Sequence, residues 1–315
     1  MPKTGLVFSR RYLEHDTGSH HPERAARLRA IEERFAGSGL AARMSCLEAR
    51  PASPEEIETV HDAAYVERFR QACAAGLALI DTADCPICPA SFEIAQLAVG
   101  GTVVAVEAVM AGVVRNAFVA CRPPGHHAER NRAMGFCFFN NVAIAAERLR
   151  IDHGLKRIAI VDWDVHHGNG TQHHFEADPD VFFCSIHQHP DTLYPGTGYI
   201  WEKGHGPGVG TTLNVPLRPG SGDEAFRQAF EEQILPAVAN FRPEFILISA
   251  GFDAHAADPL ANLEVSTEGF RWMTRQTRAL AESQCNGRLV SVLEGGYELE
   301  ALADSVQVHV EELLS

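Results

Sequence analysis

Two patterns of apolar and polar positions alternate along the chain. Short, nearly continuous apolar runs occur at 4–8 (TGLVF), 116–121 (NAFVAC), 157–164 (RIAIVDWD), 181–187 (VFFCSIH), 245–251 (FILISAG) and 288–296 (RLVSVLEGG). Runs of this length, rich in β-branched residues, predict strands buried on both faces. Between them, apolar residues recur three and four positions apart at 22–35, 91–111, 141–153, 222–241, 267–283 and 299–314, which predicts helices. Strands alternating with helices imply an α/β fold with a mostly parallel central sheet covered on both faces. No internal repeat, low-complexity tract or linker interrupts the pattern, so residues 1–315 read as one domain.

Composition narrows the picture. With 315 residues and 45% apolar content, the chain buries a large core. Asp and Glu outnumber Lys and Arg by 41 to 27, a formal charge of −14 that disfavours direct binding to nucleic acid or an anionic membrane. The start, MPKTGLVFSRRYLEHD, reaches charged residues before a signal-peptide apolar stretch forms, and no segment reads as a membrane span of about 20 apolar residues. A cytoplasmic protein is expected. The eight cysteines (46, 73, 85, 88, 121, 137, 184 and 285) are scattered through apolar surroundings, as reduced, buried thiols are. Cys85 and Cys88 form a lone C-x-x-C pair without the second pair of a zinc ribbon.

Gly and Pro gather at 122–125, 190–198, 204–210 and 216–222. Loops beyond the carboxyl ends of strands build the ligand site in an open α/β sheet, so chemistry is sought there. The run at 157–164 leads directly into Asp162, Asp164, His166 and His167; positions 162, 164 and 166 share a face if the strand continues. Asp and His are good zinc ligands, and a catalytic zinc needs three protein ligands and an open position. Asp253, just past 245–251, is placed at the same sheet edge to supply the third. One such acid is as readily a helix cap; two strand ends delivering acids and a histidine together favour a site. A third run leads into a Pro-Pro-Gly frame before His126 and His127, which sets this pair apart from His20–His21 and His173–His174. Histidines there can move protons. Tyr297, after Gly295 and Gly296, is placed to donate to an oxyanion, although a tyrosine packed at a helix start is equally ordinary.

Together the segments His20-His-Pro-Glu-Arg, Arg122-Pro-Pro-Gly-His-His, Gly135-Phe-Cys-Phe-Phe-Asn-Asn, Asp162-Trp-Asp-Val-His-His-Gly-Asn-Gly, Tyr194-Pro-Gly-Thr-Gly, Ala250-Gly-Phe-Asp and Glu294-Gly-Gly-Tyr resemble the zinc-dependent histone deacetylase family over nearly the whole chain. The resemblance implies the arginase-deacetylase fold, with about eight mostly parallel strands. It also implies Zn2+ on Asp164, His166 and Asp253, tandem histidines at His126 and His127, and an oxyanion donor at Tyr297. Asp162 resembles the carboxylate behind His126. Asn169 stands where class I members have aspartate, which makes the chain resemble a bacterial-type class II deacetylase. The family further implies K+ at Asp162, Asp164, His166, Ser185 and Ile186, and a second K+ at Phe175, Asp178, Val181 and Thr211. Phe136, beside Gly135, and Tyr194 match the walls of an acyl-lysine channel; Asp84 matches a rim aspartate and Leu260 borders the mouth.

A manganese ureohydrolase on the same fold would need D-x-H-x-D and D-x-D, where this chain has Asp164-Val-His166-His-Gly168 and Asp253-Ala-His255. A silent binding module for acylated ligands would have lost a metal ligand, a tandem histidine or the tyrosine, and all are present. The expected activity is hydrolysis of an acetylated amine, acetyl-lysine in a peptide or protein or a related acylated amine, with acetylpolyamine as the alternative; the residues do not choose between them.

Overall fold

The computed structural model describes residues 4–315; the first three, part of the charged start read above, lie outside the described residues. Eight strands form one sheet: β1 (Gly5–Val7), β2 (Ser45–Leu47), β3 (Asn116–Val119), β4 (Ile158–Asp162), β5 (Val181–Gln188), β6 (Thr212–Leu217), β7 (Phe245–Ala250) and β8 (Leu289–Leu293). Their order is β2-β1-β3-β8-β7-β4-β5-β6 and each pairing is parallel. The six apolar runs are β1, β3, β4, β5, β7 and β8, and all six strands are buried throughout. The two strands that apolar runs do not mark, β2 and β6, are the sheet edges. Asn214, buried and donating to Gln172 Oε1 and the Glu202 carbonyl, breaks the apolar run of β6, and Pro216, which lacks an N–H, is tolerated because the strand lies at the edge. The Gly/Pro-rich stretch at 216–222 therefore begins inside β6 rather than after it.

Helices Asn141–His153 and Leu299–Leu314 occupy the spans expected from their spacing. Asn140 caps the first by accepting from the Ala143 N–H, and Gly154 ends it at φ 66°. The long helix expected at 222–241 is instead Asp223–Ala229 and Leu235–Phe241 joined by a π-turn at Phe230–Ile234. Pro236, in the first turn of the second piece, supplies no N–H to the preceding turn and crowds its carbonyls, and the wider turn accommodates both. Besides the single turn Pro54–Ile57, two helices had no counterpart in the periodicity analysis, Ala63–Ala74 and Asn169–Phe175. The first buries Tyr65, Phe69 and Cys73 at a spacing of four, a signal carried by few residues. The second is built of polar residues that serve the site described below.

One reading is corrected. Helix Ser91–Met110 is 20 residues long and apolar enough, by length and composition, to cross a membrane. Its apolarity has another cause here: 67% of its most apolar window is buried, and it packs on β1, β3 and helix Asn141–His153. Gly100 lets the backbone of Arg50 approach, since a Cβ there would lie 1.8 Å from the Arg50 carbonyl oxygen. All eight cysteines are free; Cys46 is exposed and Cys88 half-buried, in contrast to the buried setting expected for all.

Besides His126, His127, His166 and His167, four histidines lie in the interior. Burial pushes His15, His61 and His187 down to about 4 and His309 to about 3. His309 is bonded at both ring nitrogens, by Thr274 Oγ1 at 2.7 Å and Ser291 Oγ at 2.8 Å. Below the ordinary histidine value near 6.5, the unfolded chain takes up protons that the folded chain refuses. Stability is therefore present above about pH 6.5 and is lost as pH falls from there toward 4, by about 1.4 kcal/mol per pH unit for each histidine. Urea unfolding of chelator-treated protein should show a midpoint that drops steeply between pH 7 and pH 5. A level midpoint would show that these rings titrate normally in the folded chain.

Candidate metal centre and active site

The loops that follow β3, β8, β7 and β4, four neighbouring strands, meet at the carboxyl edge of the sheet. The loop after β3 carries His126 and His127, that after β8 carries Glu294 to Tyr297, that after β7 carries Asp253, and that after β4 carries Asp164 to Gly168 and leads into helix Asn169–Phe175. Strand β4 stops at Asp162, so the side chains at 162, 164 and 166 are brought together by the loop rather than by continued strand alternation.

Among the described residues, one group of three potential metal ligands comes together: Asp164, His166 and Asp253, all buried, with donor atoms within 4.8 Å of one another. Each acid commits one oxygen to a backbone N–H from another loop, and Asp164 Oδ1 also accepts the His166 N–H at 2.9 Å. Asp164 Oδ2 accepts the Gly295 N–H at 2.8 Å, and Asp253 Oδ1 accepts the Val165 N–H at 2.9 Å. The remaining oxygens face one ring nitrogen, with His166 Nδ1 3.0 Å from Asp164 Oδ1 and 3.2 Å from Asp253 Oδ2. Donors around a tetrahedral zinc at about 2.0–2.1 Å stand about 3.3 Å apart, so this set fits the ion. Two further observations agree. Asp253 Oδ2 is a buried oxygen without a hydrogen-bond partner. Burial and the neighbouring Asp164 push Asp253 up to about 7, a crowding of carboxylates that a bound cation would relieve. A Cβ at Gly295 would lie 2.0 Å from Asp253 Oδ2 and 2.6 Å from Asp164 Oδ2, so glycine keeps the space between the acids open.

The tandem histidines, rings 4.0 Å apart, have different partners. His126 Nδ1 meets Asp162 Oδ2 at 2.9 Å. Burial pulls His126 down, but Asp162 and Asp164 outweigh it and lift the ring to about 10. His127 Nδ1 meets the neutral Asn169 Oδ1 at 2.7 Å, and burial beside His126 holds this ring well below its ordinary value. One imidazole thus carries charge while its neighbour is neutral and free to accept a proton.

A cavity of about 260 Å³ leads to this edge, lined by Asp84, His127, Gly135, Phe136, His166, Leu193, Tyr194, Leu260 and Tyr297. Phe136 packs edge-on against Tyr297 at 5.8 Å and His21 at 4.7 Å, while Tyr194, 41% exposed, stands edge-on to His127 at 5.1 Å. At the mouth, Asp84 Oδ2 accepts the Gly135 N–H at 3.1 Å and its Oδ1 lacks a partner. Leu260 is half-buried, its N–H held by Asp258 Oδ1 at 3.0 Å. Burial pushes the Tyr297 phenol well up, so it stays protonated and able to donate.

Of the residues read for potassium, Asp162 and Ser185 are paired neighbours on β4 and β5, with Ile186 next along β5. In the second set, Thr211 Oγ1 donates to the Asp178 carbonyl at 3.0 Å and the Asp178 carboxylate pairs with Arg150 at 2.7 Å; Phe175 and Val181 are buried beside them.

Several residues that shape the site had been assigned no role. Glu294 Oε2 accepts the N–H groups of Gly125 and His126 at 2.6 and 3.2 Å. Glu23 grips Arg122 with both oxygens, at 2.7 and 2.8 Å, with both side chains fully buried. Arg27 donates to the carbonyls of Glu294 and Gly296 and lies 5.0 Å over the Tyr297 ring. Asp258 Oδ2 accepts the Tyr297 N–H at 2.6 Å. Glu23, Arg122 and Glu294 stand inside motifs the sequence displays, but nothing local shows that their partners come from distant segments.

The family described as histone deacetylase domain matches residues 21–313. The chain is 45% identical over 299 residues to a probable deacetylase of Archaeoglobus fulgidus, covering 94% of this chain and 82% of that protein. It is 43% identical over 312 residues to a histone deacetylase-like amidohydrolase of Pseudomonas aeruginosa, with the same two coverages, 94% and 82%. The crystal structure of the HDA15 HD domain superposes with a TM-score of 0.94 at 38% identity, covering 99% of this chain and 88% of that one.

Proposed function

The chain belongs to the histone deacetylase family as an amidohydrolase, and from that premise we propose that it is a zinc-dependent deacetylase of acetyl-lysine or a similarly slender acylated amine. The observation that carries the reading is the convergence of His166 Nδ1 with Asp164 Oδ1 and Asp253 Oδ2 beside an apolar channel. Asp164, His166 and Asp253 would hold a zinc ion, which would supply Lewis-acid polarisation of the amide carbonyl and acidification of water. Neutral His127 takes the proton of the attacking water and delivers one to the departing amine. His126, paired with Asp162, holds positive charge close by as negative charge develops on the substrate. The Tyr297 hydroxyl donates to the carbonyl oxygen as it becomes an oxyanion. Phe136 and Tyr194 flank the acyl-lysine stem. The same reading places K+ beside Asp162, Asp164, His166, Ser185 and Ile186, a second K+ by Phe175, Asp178, Val181 and Thr211, and the enzyme in the cytoplasm. Assaying the zinc-loaded protein side by side on acetyl-lysine peptides and acetylpolyamines tests the proposal; no hydrolysis of either would overturn it.

Two residues at the mouth sharpen the substrate. Asp84 is half-buried and lines the channel mouth, and a carboxylate that turns outward there can accept the backbone N–H groups of a peptide. Asp84→Ala should raise KM for acetyl-lysine peptides by about tenfold or more while changing a minimal acetylated amine little, the scale of a charge-assisted hydrogen bond. Equal effects on both substrates would remove Asp84 from peptide binding. Leu260 offers the distal ammonium of a polyamine no partner, which favours acetyl-lysine. Leu260→Glu places a carboxylate in a partly desolvated channel and should shift the kcat/KM ratio toward acetylspermidine by about tenfold or more, equivalent to roughly 1–3 kcal/mol. An unchanged ratio, or a parent enzyme that already prefers acetylspermidine, would exclude Leu260 as selector.

A further inference from the structure

The base assignment for His127 leaves open what keeps its ring in the required tautomer. Asn169 faces His127 with Oδ1, at 2.7 Å from Nδ1. An amide turned the other way would donate to Nδ1 and place the proton on Nε2, which would leave the nitrogen facing the cavity unable to accept. An amide has no charge with which to prefer one orientation, so the choice depends on what lies behind it.

Behind it, each partner accepts. Asn169 Nδ2 lies 2.5 Å from Glu129 Oε1, 3.3 Å from the His127 carbonyl oxygen and 3.4 Å from Met134 Sδ. Glu129 is the charged one and the nearest. A carboxylate accepts only, so it demands the NH2 side of the amide. Its Oε1 also takes a bond from His173 Nδ1 at 2.8 Å, and His173 is 42% exposed against 20% for Glu129. Burial alone would raise the Glu129 carboxyl, but the bonds from His173 and Asn169 outweigh it and keep the group ionised. The path therefore runs from a surface histidine through Glu129 and Asn169 to His127.

We propose that Glu129 is a positioning residue for amide hydrolysis: by fixing the orientation of the Asn169 amide it holds His127 as the Nδ1–H tautomer, with Nε2 free to accept a proton. The inference rests on the reading of His127 as base only for its catalytic consequence; the tautomer itself is a property of the protein with or without substrate. Glu129→Gln keeps the shape and removes the acceptor-only character, because a glutamine side chain pairs with the Asn169 amide in either orientation. Asn169→Asp removes the need for orientation altogether, since both carboxylate oxygens accept from His127 Nδ1–H.

The test has two readouts. In 15N-histidine NMR spectra of metal-loaded and metal-stripped protein, with the His127 signal identified by its loss in His127→Gln, the parent should show Nδ1 protonated and Nε2 bare. Glu129→Gln should shift His127 toward the Nε2–H form. Kinetically, Glu129→Gln should lower kcat by about tenfold with KM nearly unchanged, part of the roughly 10²–10⁴-fold attributed to a general base, because a fraction of the molecules keep the required tautomer. In the Asn169→Asp background the same substitution should have no effect or raise kcat, because it relieves repulsion between two carboxylates. A His127 signal that stays Nδ1–H in Glu129→Gln overturns the proposal, and so does an equal fall in kcat in both backgrounds, the mark of a merely structural residue. Full turnover in His127→Gln would instead refute the base reading, while the tautomer measurement still decides what Glu129 does.

Discussion

Replacing Asp253 with alanine is expected to empty the metal site and bring hydrolysis to background. The carboxylate has two tasks in the structure: Oδ2 faces His166 Nδ1 at 3.2 Å as a prospective ligand, and Oδ1 accepts the Val165 N–H at 2.9 Å, which holds the loop carrying Asp164 and His166. Alanine removes a ligand and loosens the loop bearing the other two, leaving too few donors for an open tetrahedral site. With Lewis-acid assistance worth several kcal/mol, the rate should fall by about 10³-fold or more. Asp164→Ala should behave alike, because it removes one prospective ligand and frees the Gly295 N–H. Zinc content by elemental analysis and turnover on an acetyl-lysine peptide check both variants. Stoichiometric zinc with undiminished turnover in either would sink the ligand assignment.

Tyr297→Phe should retain the metal and lose about 10²-fold or more in kcat, the scale for one oxyanion donor. The prediction is clean because the rest of the residue is held independently of the hydroxyl. Its N–H is bound by Asp258, its ring lies under the Arg27 guanidinium and against Phe136, and it lines the cavity next to His166. Phenylalanine keeps those contacts and removes only the donor. Normal zinc content with unchanged kcat would take Tyr297 out of the mechanism; loss of zinc would mean that the substitution disturbs the loop instead.

The interior strands of the sheet were legible as runs because a parallel strand covered on both faces must be apolar at successive positions, as in Ile158–Asp162 and Phe245–Ala250. Edge strands β2 and β6 were not, since partial solvation dilutes that signal. Helix Asn169–Phe175 was hidden for a different reason: its residues answer to partners in other loops, with Asn169 bonded to His127 and Gln172 to His167, so apolar periodicity never develops. Conversely, helix Ser91–Met110 shows that apolar length alone does not distinguish a core helix from a membrane span; what packs on it does.

By itself the sequence determined the α/β alternation and placed Asp162, Asp164, His166, His126, His127, Asp253 and Tyr297 just beyond apolar strands, because a parallel sheet puts every strand's carboxyl end at one edge. Only the tertiary structure decided strand order and hence that β3, β8, β7 and β4 lie side by side and bring those residues to one place. It likewise decided which oxygen of each acid faces His166 Nδ1, since the Gly295 N–H occupying Asp164 Oδ2 comes from 131 residues away. The division between a charged His126 and a neutral His127 has the same origin: Asp162 and Asn169 lie 36 and 42 residues from the rings they hold, and burial makes a charged and a neutral partner produce opposite outcomes.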